Sequence, residues 1–224
     1  MWREIYYEYL DMSIPMQEFS KKYLEILKTD FAGLNLTRIL DEDEFFQKQI
    51  MDSVLPAQES EVFKRKLAEC EAIIDIGFGG GFPILPLAKI FPEKKFIGFE
   101  ARGKKAKAVL EIAKKLEIKN VKLYHQRFEE VDFDKKVLIT FKAVSTIPEL
   151  LSQIITTSQV SVFFYKGPSV FELENLSMTE KDWLMIDNCK ISLPGVENRT
   201  LLGFQNKIVL RGTNKKLVKV SSFF

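Results

Sequence analysis

The sequence of 224 residues predicts an α/β fold in which a helical cap precedes a mostly parallel, seven-stranded sheet with an antiparallel end. Residues 1–70 show helical periodicity and no convincing alternation of apolar and polar residues. From residue 71, short apolar runs alternate with amphipathic segments, the pattern of a parallel sheet. We therefore divide the chain into an N-terminal helical cap (1–70), a ligand-binding domain (71–206) and a basic C-terminal extension (207–224).

Two apolar stripes predict two helices in the cap, because their members recur at helical spacing. The first stripe is Met16, Phe19, Tyr23, Leu24 and Leu27, and the second is Phe45, Phe46, Ile50, Val54 and Leu55. Asp41 and Asp43 precede the second stripe, and either carboxylate can cap the first turn of a helix. Both stripes are most simply core.

Strand and helix patterns then alternate along the rest of the chain. Strands are predicted at Ile73–Ile76, Phe96–Phe99, Val121–Tyr124, Val137–Phe141, Val160–Tyr165, Trp183–Leu193 and Leu201–Leu210. Helices are predicted at Ile84–Ile90, Lys104–Leu116 and Pro148–Ile155. No clear helix separates the last two strands, which therefore predict antiparallel pairing at the end of the sheet.

A glycine turn follows the first predicted strand. Asp75 ends the apolar run, and Gly77, Gly79 and Gly81 follow at a spacing of two. Glycine allows the backbone to turn tightly or to approach a ligand where a Cβ would clash. Glu100 ends the next strand, where a carboxylate can accept hydrogen bonds from a ribose. Together they predict a nucleoside pocket, although the glycines alone also fit a purely structural turn.

The spacing of the glycines excludes two common nucleotide motifs. A dinucleotide fingerprint needs G-x-G-x-x-G, and its last position falls on Phe82 or Ile84 here. A P-loop is excluded because no Lys-Ser or Lys-Thr pair follows the glycines. The pattern D-x-G-x-G-x-G instead resembles the first motif of the Rossmann-like class I methyltransferases. That resemblance implies S-adenosylmethionine (AdoMet) as the cofactor.

Composition narrows the class of protein. The chain is 46% hydrophobic and 29% charged, which is typical of a soluble globular protein. No apolar run reaches about 18 residues, so we expect no membrane span. The N-terminus lacks the apolar core of a signal peptide, and Cys70 and Cys189 form a poor disulfide framework. We therefore expect a cytoplasmic protein, and its single histidine argues against a Cys/His metal site.

Charge is distributed unevenly. Residues 1–70 carry 9 basic and 14 acidic side chains, whereas residues 71–224 carry 24 basic and 17 acidic ones. Basic clusters can contact phosphate backbones. For Lys107–Lys122 an ordinary solvated helix face is the favoured interpretation. Arg102, Lys104 and Lys105 differ, because they follow Glu100 at the sheet edge where ligands bind.

The order of several short motifs resembles the RsmG (GidB) methyltransferases over about residues 34–205. The motifs are Leu34–Thr37 (N-L-T), Gln49–Val54 (H-x-x-D-S-L), Asp75–Pro83, Glu100–Lys105 (an acid, then K-[KR]), Gln126–Glu130 (R-x-E-E), Phe141–Ala143 (S-R-A), Tyr165–Gly167 (K-G) and Glu197–Arg199 (E-x-R). No single motif is decisive, but their order and spacing together are specific.

The resemblance implies methyl transfer to N7 of a guanine in 16S ribosomal RNA, guanine 527 in the family. The expected partners are this RNA and the small ribosomal subunit, and we expect a monomer. The implied cofactor-binding residues are Asp75, Gly77, Gly79, Gly81, Phe82, Glu100, Phe128, Glu129 and Lys142. The implied catalytic residues are Lys142 and Arg199, and the implied RNA-binding residues are Arg102, Lys104, Lys105, Arg127 and Lys166.

Two departures from the family pattern keep alternatives open. Lys142 stands where the family has arginine and lacks its planar fork. Gln49 replaces a histidine of the cap. The alternatives are an AdoMet-dependent enzyme with another acceptor and a non-catalytic ribosome- or nucleotide-binding module. Structural ion pairs are also an alternative role for the candidate cations.

Overall fold

The computed structural model describes residues 2–192, 198–207 and 217–224, with side chains described from residue 15 onward except for Met178. The strands are β1 Ala72–Ile76, β2 Phe96–Glu100, β3 Val121–His125, β4 Val131–Phe133, β5 Val137–Lys142, β6 Ile155–Thr156, β7 Val160–Lys166, β8 Trp183–Ile191, β9 Arg199–Asn206 and β10 Val218–Lys219. The α-helices are α1 Trp2–Thr29, α2 Glu42–Phe45, α3 Asp52–Val54, α4 Pro56–Glu59, α5 Glu61–Glu69, α6 Ile84–Ile90, α7 Gly103–Lys115, α8 Ile147–Gln153 and α9 Val170–Leu173.

The main sheet confirms the predicted fold class. Its strand order is β3-β2-β1-β5-β7-β9-β8. The strands from β3 to β7 are parallel, whereas β9 runs antiparallel to both β7 and β8. The carboxyl ends of β1, β2 and β5 therefore meet at one edge of the sheet, where ligands bind in open α/β sheets.

The predicted strands agree with the observed ones to within a few residues. The main difference is at the end of the chain, where β9 ends at Asn206 although the apolar pattern continues to Leu210. Residues 208–210 lie outside the described residues. The last predicted helix ends at Gln153, and Ile155 begins the short strand β6 instead.

A second sheet, of order β10-β4-β6, was not predicted. Its strands contain two or three residues, too few to show a period of two. Parallel pairing of Val218 with Val131 brings the C-terminal segment back to the middle of the chain.

The second predicted cap helix is composite. It begins at α2, continues as a π-helical turn over Phe46–Met51 and passes into α3 and α4. Asp41 caps α2 as predicted, because its Oδ1 accepts a hydrogen bond from the Glu44 N–H at 2.9 Å. The sequence did not predict α5, which Ser60 caps through the N–H of Phe63.

Each face of the main sheet contributes to its own core. On one face, apolar side chains of the cap pack together with those of β1, α6 and α7 in a single buried cluster. On the other face, a second cluster joins β1, β5, β7, α8 and Val220. The cap thus shares a core with the sheet, and the domain boundary at residue 70 stays a prediction. Among the described residues, no helix is long and apolar enough to cross a membrane.

Candidate active site

A cavity of about 580 Å³ lies between the carboxyl ends of β1, β2 and β5 and the cap. The predicted site residues that line it are Gly77, Gly79, Phe82, Glu100, Arg102, Lys105, Arg127, Phe128, Glu129, Lys142 and Arg199. The remaining predicted residues, Asp75, Gly81, Lys104 and Lys166, lie outside its lining. The structure therefore brings most of the candidate cofactor-binding residues together, along with both candidate catalytic residues.

The glycine turn forms the floor of the cavity. Gly77, Gly79 and Gly81 all have left-handed backbone angles, with φ of 69°, 53° and 91°, which glycine adopts without steric cost. Gly80, which the motif passes over, is constrained differently. A Cβ at Gly80 would lie 2.5 Å from the carbonyl oxygen of Leu36 in the cap. Close packing of the cap, rather than a backbone angle, therefore favours glycine at position 80.

Glu100 lies at the end of β2 with its carboxylate aimed across the turn. Its Oε2 accepts a hydrogen bond from the Gly79 N–H at 3.0 Å, and its Oε1 accepts one from the Arg102 N–H at 2.8 Å. An ionised carboxylate has about four lone-pair sites, so each oxygen retains capacity for one more donor. Glu100 thus fixes the turn and can still accept two hydroxyl donors from the cavity.

Asp75 occupies a different environment one strand away. Its carboxylate is fully buried, and its Oδ1 accepts a hydrogen bond from Thr140 on β5 at 2.8 Å. Among the described residues, its Oδ2 makes no hydrogen bond of ordinary geometry. Burial raises the pKa of Asp75 to about 7, although the Thr140 bond and the charge of Lys142 act in the opposite direction. Asp75 therefore lies buried against β5, outside the lining of the cavity.

Lys142, at the end of β5, forms an ion pair with the cap. Its Nζ lies 2.9 Å from Oδ2 of Asp52, and both side chains are largely buried. The other oxygen of Asp52, Oδ1, lies 3.4 Å from Nε of Arg199 on β9. Weaker contacts at 3.4 Å join Lys142 Nζ to the carbonyl of Lys48 and to Oε1 of Gln49. One cap carboxylate therefore bridges the two candidate catalytic cations.

The π-helical turn explains how the cap presents these groups. The N–H of Asp52 bonds back to the carbonyl of Gln47, five residues earlier, which widens the helix at this point. Gln49 lies in this turn and Asp52 directly follows it, and both side chains contact Lys142 Nζ. Such wide turns occur often at functional sites. Here the turn directs both side chains toward Lys142.

Aromatic rings form the side walls. Phe128 begins a short helical turn after β3, and its ring packs edge-on against Phe141 at a centroid distance of 5.7 Å. Phe82 also lines the cavity, and it stacks on Tyr23 at 5.0 Å and meets Phe45 edge-on. The walls are therefore flat and apolar, which suits an aromatic heterocycle.

The candidate RNA-binding cations divide into two groups. Arg102, Lys105 and Arg127 line the cavity, and Lys104 is exposed nearby on α7. Lys166 is largely buried instead, with Nζ at 2.7 Å from Glu174 Oε1. Lys166 thus forms the kind of structural ion pair that the sequence left open as an alternative. A role of Lys166 in RNA binding stays a prediction.

The residues of the site that were not assigned a role from the sequence include Asp52 and Gly80. Asp52 is part of the Gln49–Val54 motif, but nothing in the sequence indicates that it meets partners at positions 142 and 199. Gly80 occupies a position of the D-x-G-x-G-x-G motif at which any residue is allowed, so the motif itself does not point to it. The available signal was its place between Gly79 and Gly81 in a run of three glycines.

Solved structures share the fold. A magnesium protoporphyrin IX methyltransferase from Synechocystis PCC 6803, solved with bound SAM, superposes with a TM-score of 0.53 at 10% identity, over 84% of this chain and 96% of that one. The mitomycin 7-O-methyltransferase MmcR gives a TM-score of 0.53 at 13% identity, over 82% and 60% of the two chains. These similarities confirm the Rossmann-like methyltransferase fold.

Sequence comparison identifies the family. A protein of Lactobacillus delbrueckii subsp. bulgaricus named ribosomal RNA small subunit methyltransferase G is 33% identical over 197 residues, which cover 83% of this chain and 81% of that protein. A protein of the same name from Flavobacterium psychrophilum is 36% identical over 148 residues, 63% of this chain and 65% of that one. The sequence profile of the GidB family, described as rRNA small subunit methyltransferase G, matches residues 16–202. The chain therefore belongs to the rRNA small subunit methyltransferase G (GidB) family.

Proposed function

We propose that this protein transfers the methyl group of AdoMet to N7 of a guanine in 16S ribosomal RNA, at the family position guanine 527. The observation that carries the proposal is the arrangement of the cavity. The glycine turn and Glu100, the proposed nucleoside-binding floor, line the same cavity as a pair of cations, Lys142 and Arg199. We propose that the first part holds the cofactor and the second orients the base.

The predicted cofactor, AdoMet, is confirmed by the family and by the methyltransferase fold. The residues present fit it. The cavity volume of about 580 Å³ lies within the usual range for small-molecule sites, about 300–1,000 Å³. Glu100 can accept both ribose hydroxyls, and Phe128 offers an apolar surface to the adenine. When bound, AdoMet supplies an electrophilic methyl group on a sulfonium.

A ring-nitrogen acceptor suits the groups around the cavity. Guanine N7 has a free lone pair and no proton, so its attack on a methyl group requires no general base. Asp52 is the buried carboxylate nearest to Lys142, and it is committed to two cations. The chain therefore acts mainly by alignment, which can contribute about 7–11 kcal/mol to catalysis.

The cations suit recognition of a guanine in RNA. Arginine and lysine commonly donate hydrogen bonds to guanine O6, and Lys142 and Arg199 can do so while N7 stays free. N7 lies within the deep, narrow groove of A-form RNA, so the target must be an unpaired or splayed base. Arg102, Lys105 and Arg127 can contact the phosphates beside it. We place the enzyme, as a monomer, with its RNA in the cytoplasm.

The test is methylation of 16S RNA, both naked and within the small subunit, with nucleoside analysis of the product. We expect 7-methylguanosine, and we expect none when the target guanine is replaced by adenine. A different methylated nucleoside would show that guanine N7 is not the acceptor. If AdoMet binds but no RNA is methylated, the proposal fails and the non-catalytic alternative gains support.

A further inference from the structure

The bridge between the cap and the sheet points to an additional residue of the site. Asp52 is 4% exposed and contacts a lysine 90 positions later and an arginine on β9. We propose that Asp52 is a positioning residue. It orients Lys142 and Arg199 at the cavity and lowers the net charge of the three-residue cluster. The proposal rests on the function proposed above and extends it to the cap.

Stability alone does not account for this cluster. A buried ion pair costs desolvation, and apolar groups of similar volume commonly stabilise a fold at least as well. The three side chains also lie in the lining of a cavity rather than in a closed core. The arrangement therefore fixes the direction of two cations at a place where a ligand approaches.

The distances show how Asp52 orients Lys142. The contact of Lys142 Nζ with Asp52 is a short one of 2.9 Å, whereas those with Lys48 and Gln49 are 3.4 Å. Hydrogen bonds near 3.4 Å are weak and exchange readily for a better acceptor. Asp52 thus anchors one N–H of the ammonium, and the other two remain available to a ligand oxygen.

The charge of Asp52 is equally relevant. Lys142 and Arg199 carry two positive charges, and Asp52 reduces the sum to one. AdoMet carries a positive sulfonium, whereas S-adenosylhomocysteine (AdoHcy) carries a neutral thioether in the same skeleton. Loss of the Asp52 charge therefore raises repulsion against the first ligand and not against the second.

The test compares binding of both ligands by calorimetry in wild type, Asp52→Asn and the double variant Asp52→Asn/Lys142→Met. We expect Asp52→Asn to shift the AdoMet-to-AdoHcy affinity ratio against AdoMet by about fivefold, the effect of one nearby charge. The double variant removes one charge of each sign, so its ratio should return to the wild-type value. If Asp52→Asn alone folds poorly, the double variant, whose cluster has the wild-type net charge, still tests the proposed effect of charge on the affinity ratio.

Turnover provides the second measurement. Asp52→Asn should lower kcat on RNA by about 10²-fold with a smaller change in KM, because the cations lose their alignment. Asp52→Glu should recover part of kcat. The control is Asp187→Ala, which removes the contact of Asp187 on β8 with Ser60 of the cap, away from the cavity. It should lower stability and leave kcat and KM unchanged.

Two results would overturn the inference: an unchanged affinity ratio in Asp52→Asn, or equal losses of kcat in Asp52→Asn and Asp187→Ala. The affinity ratio requires no turnover. It therefore tests the proposed role of Asp52 even if the wild-type protein methylates no RNA. Absence of RNA methylation would count against the proposed function alone.

Discussion

At the scale of single residues, two carboxylates on neighbouring strands have different environments and hence different capacities. Glu100 accepts hydrogen bonds from two backbone N–H groups and lines the cavity. Asp75 is buried outside the cavity lining, and its pKa is raised to about 7 chiefly by burial. The sequence predicts both positions as acids at strand ends. It does not distinguish them, because burial depends on elements distant along the chain.

The raised pKa of Asp75 predicts a pH-dependent stability. The native state keeps this proton up to about pH 7, whereas the unfolded chain loses it near the ordinary value of 3.8. The native state therefore binds more protons at Asp75 between these values. The contribution of Asp75 to the free energy of unfolding falls as the pH rises through this window. Relative to Asp75→Asn, the loss should approach about 1.4 kcal/mol per pH unit and level off above about pH 7.

Chemical denaturation of both proteins from pH 4 to pH 9 measures this difference. The asparagine of the variant retains a side-chain oxygen for Thr140, so it is a close match to the aspartate in shape. Parallel stability curves across the window would show that Asp75 titrates normally in the folded protein.

At the scale of elements, the loop before α2 closes over the glycine turn. The carbonyl of Leu36 meets Gly80, and the hydroxyl of Tyr23 on α1 donates a hydrogen bond to the Gly80 carbonyl. These contacts join the cap to the floor of the cavity. The glycine spacing predicts the turn itself, because its backbone angles are local. The partner of Gly80 could not be predicted, since it lies 44 positions earlier, in a motif that does not indicate what it contacts.

Gly80→Ala tests this closure. The new Cβ would lie 2.5 Å from the Leu36 carbonyl and 3.2 Å from the Phe82 ring, so the loop must move. We expect a loss of about 1–3 kcal/mol in the free energy of unfolding, typical of overpacking, together with weaker AdoMet binding. Gly33→Ala is the matched control, because no described atom lies within 4 Å of its added Cβ. Denaturant melts that coincide for the two variants would contradict the assigned contact.

At the scale of the whole molecule, the C-terminal segment packs behind Phe99, a residue that lines the cavity. Val220 is fully buried, and Ser221 binds both oxygens of Asp134. The ring of Phe223 packs edge-on against Phe99 at 5.0 Å, and Phe99 lines the cavity. The sequence predicts only a basic extension here. Its anchoring depends on two-residue pairing and aromatic contacts, which leave no periodic signal.

Phe223→Ala should therefore affect both stability and binding. We expect a loss of about 1–3 kcal/mol, because the ring makes edge-on contacts with Phe99 and Tyr124 that each contribute about 0.5–1.5 kcal/mol. AdoMet should bind more weakly as Phe99 loses support. Leu173→Ala is the control, since that side chain is 81% exposed. If calorimetry gives wild-type affinity for Phe223→Ala, the segment does not support AdoMet binding through Phe99.

The strand order of the main sheet has a consequence for how the chain is made. β9 lies between β7 and β8, although it is synthesised after both. When β8 leaves the ribosome, the strand that pairs with it in the main sheet has not yet emerged. Arg199, the first residue of β9, also completes the cluster around Asp52. The enzyme that we propose acts on ribosomal RNA therefore acquires its second cation only after β9 has followed β8 out of the ribosome.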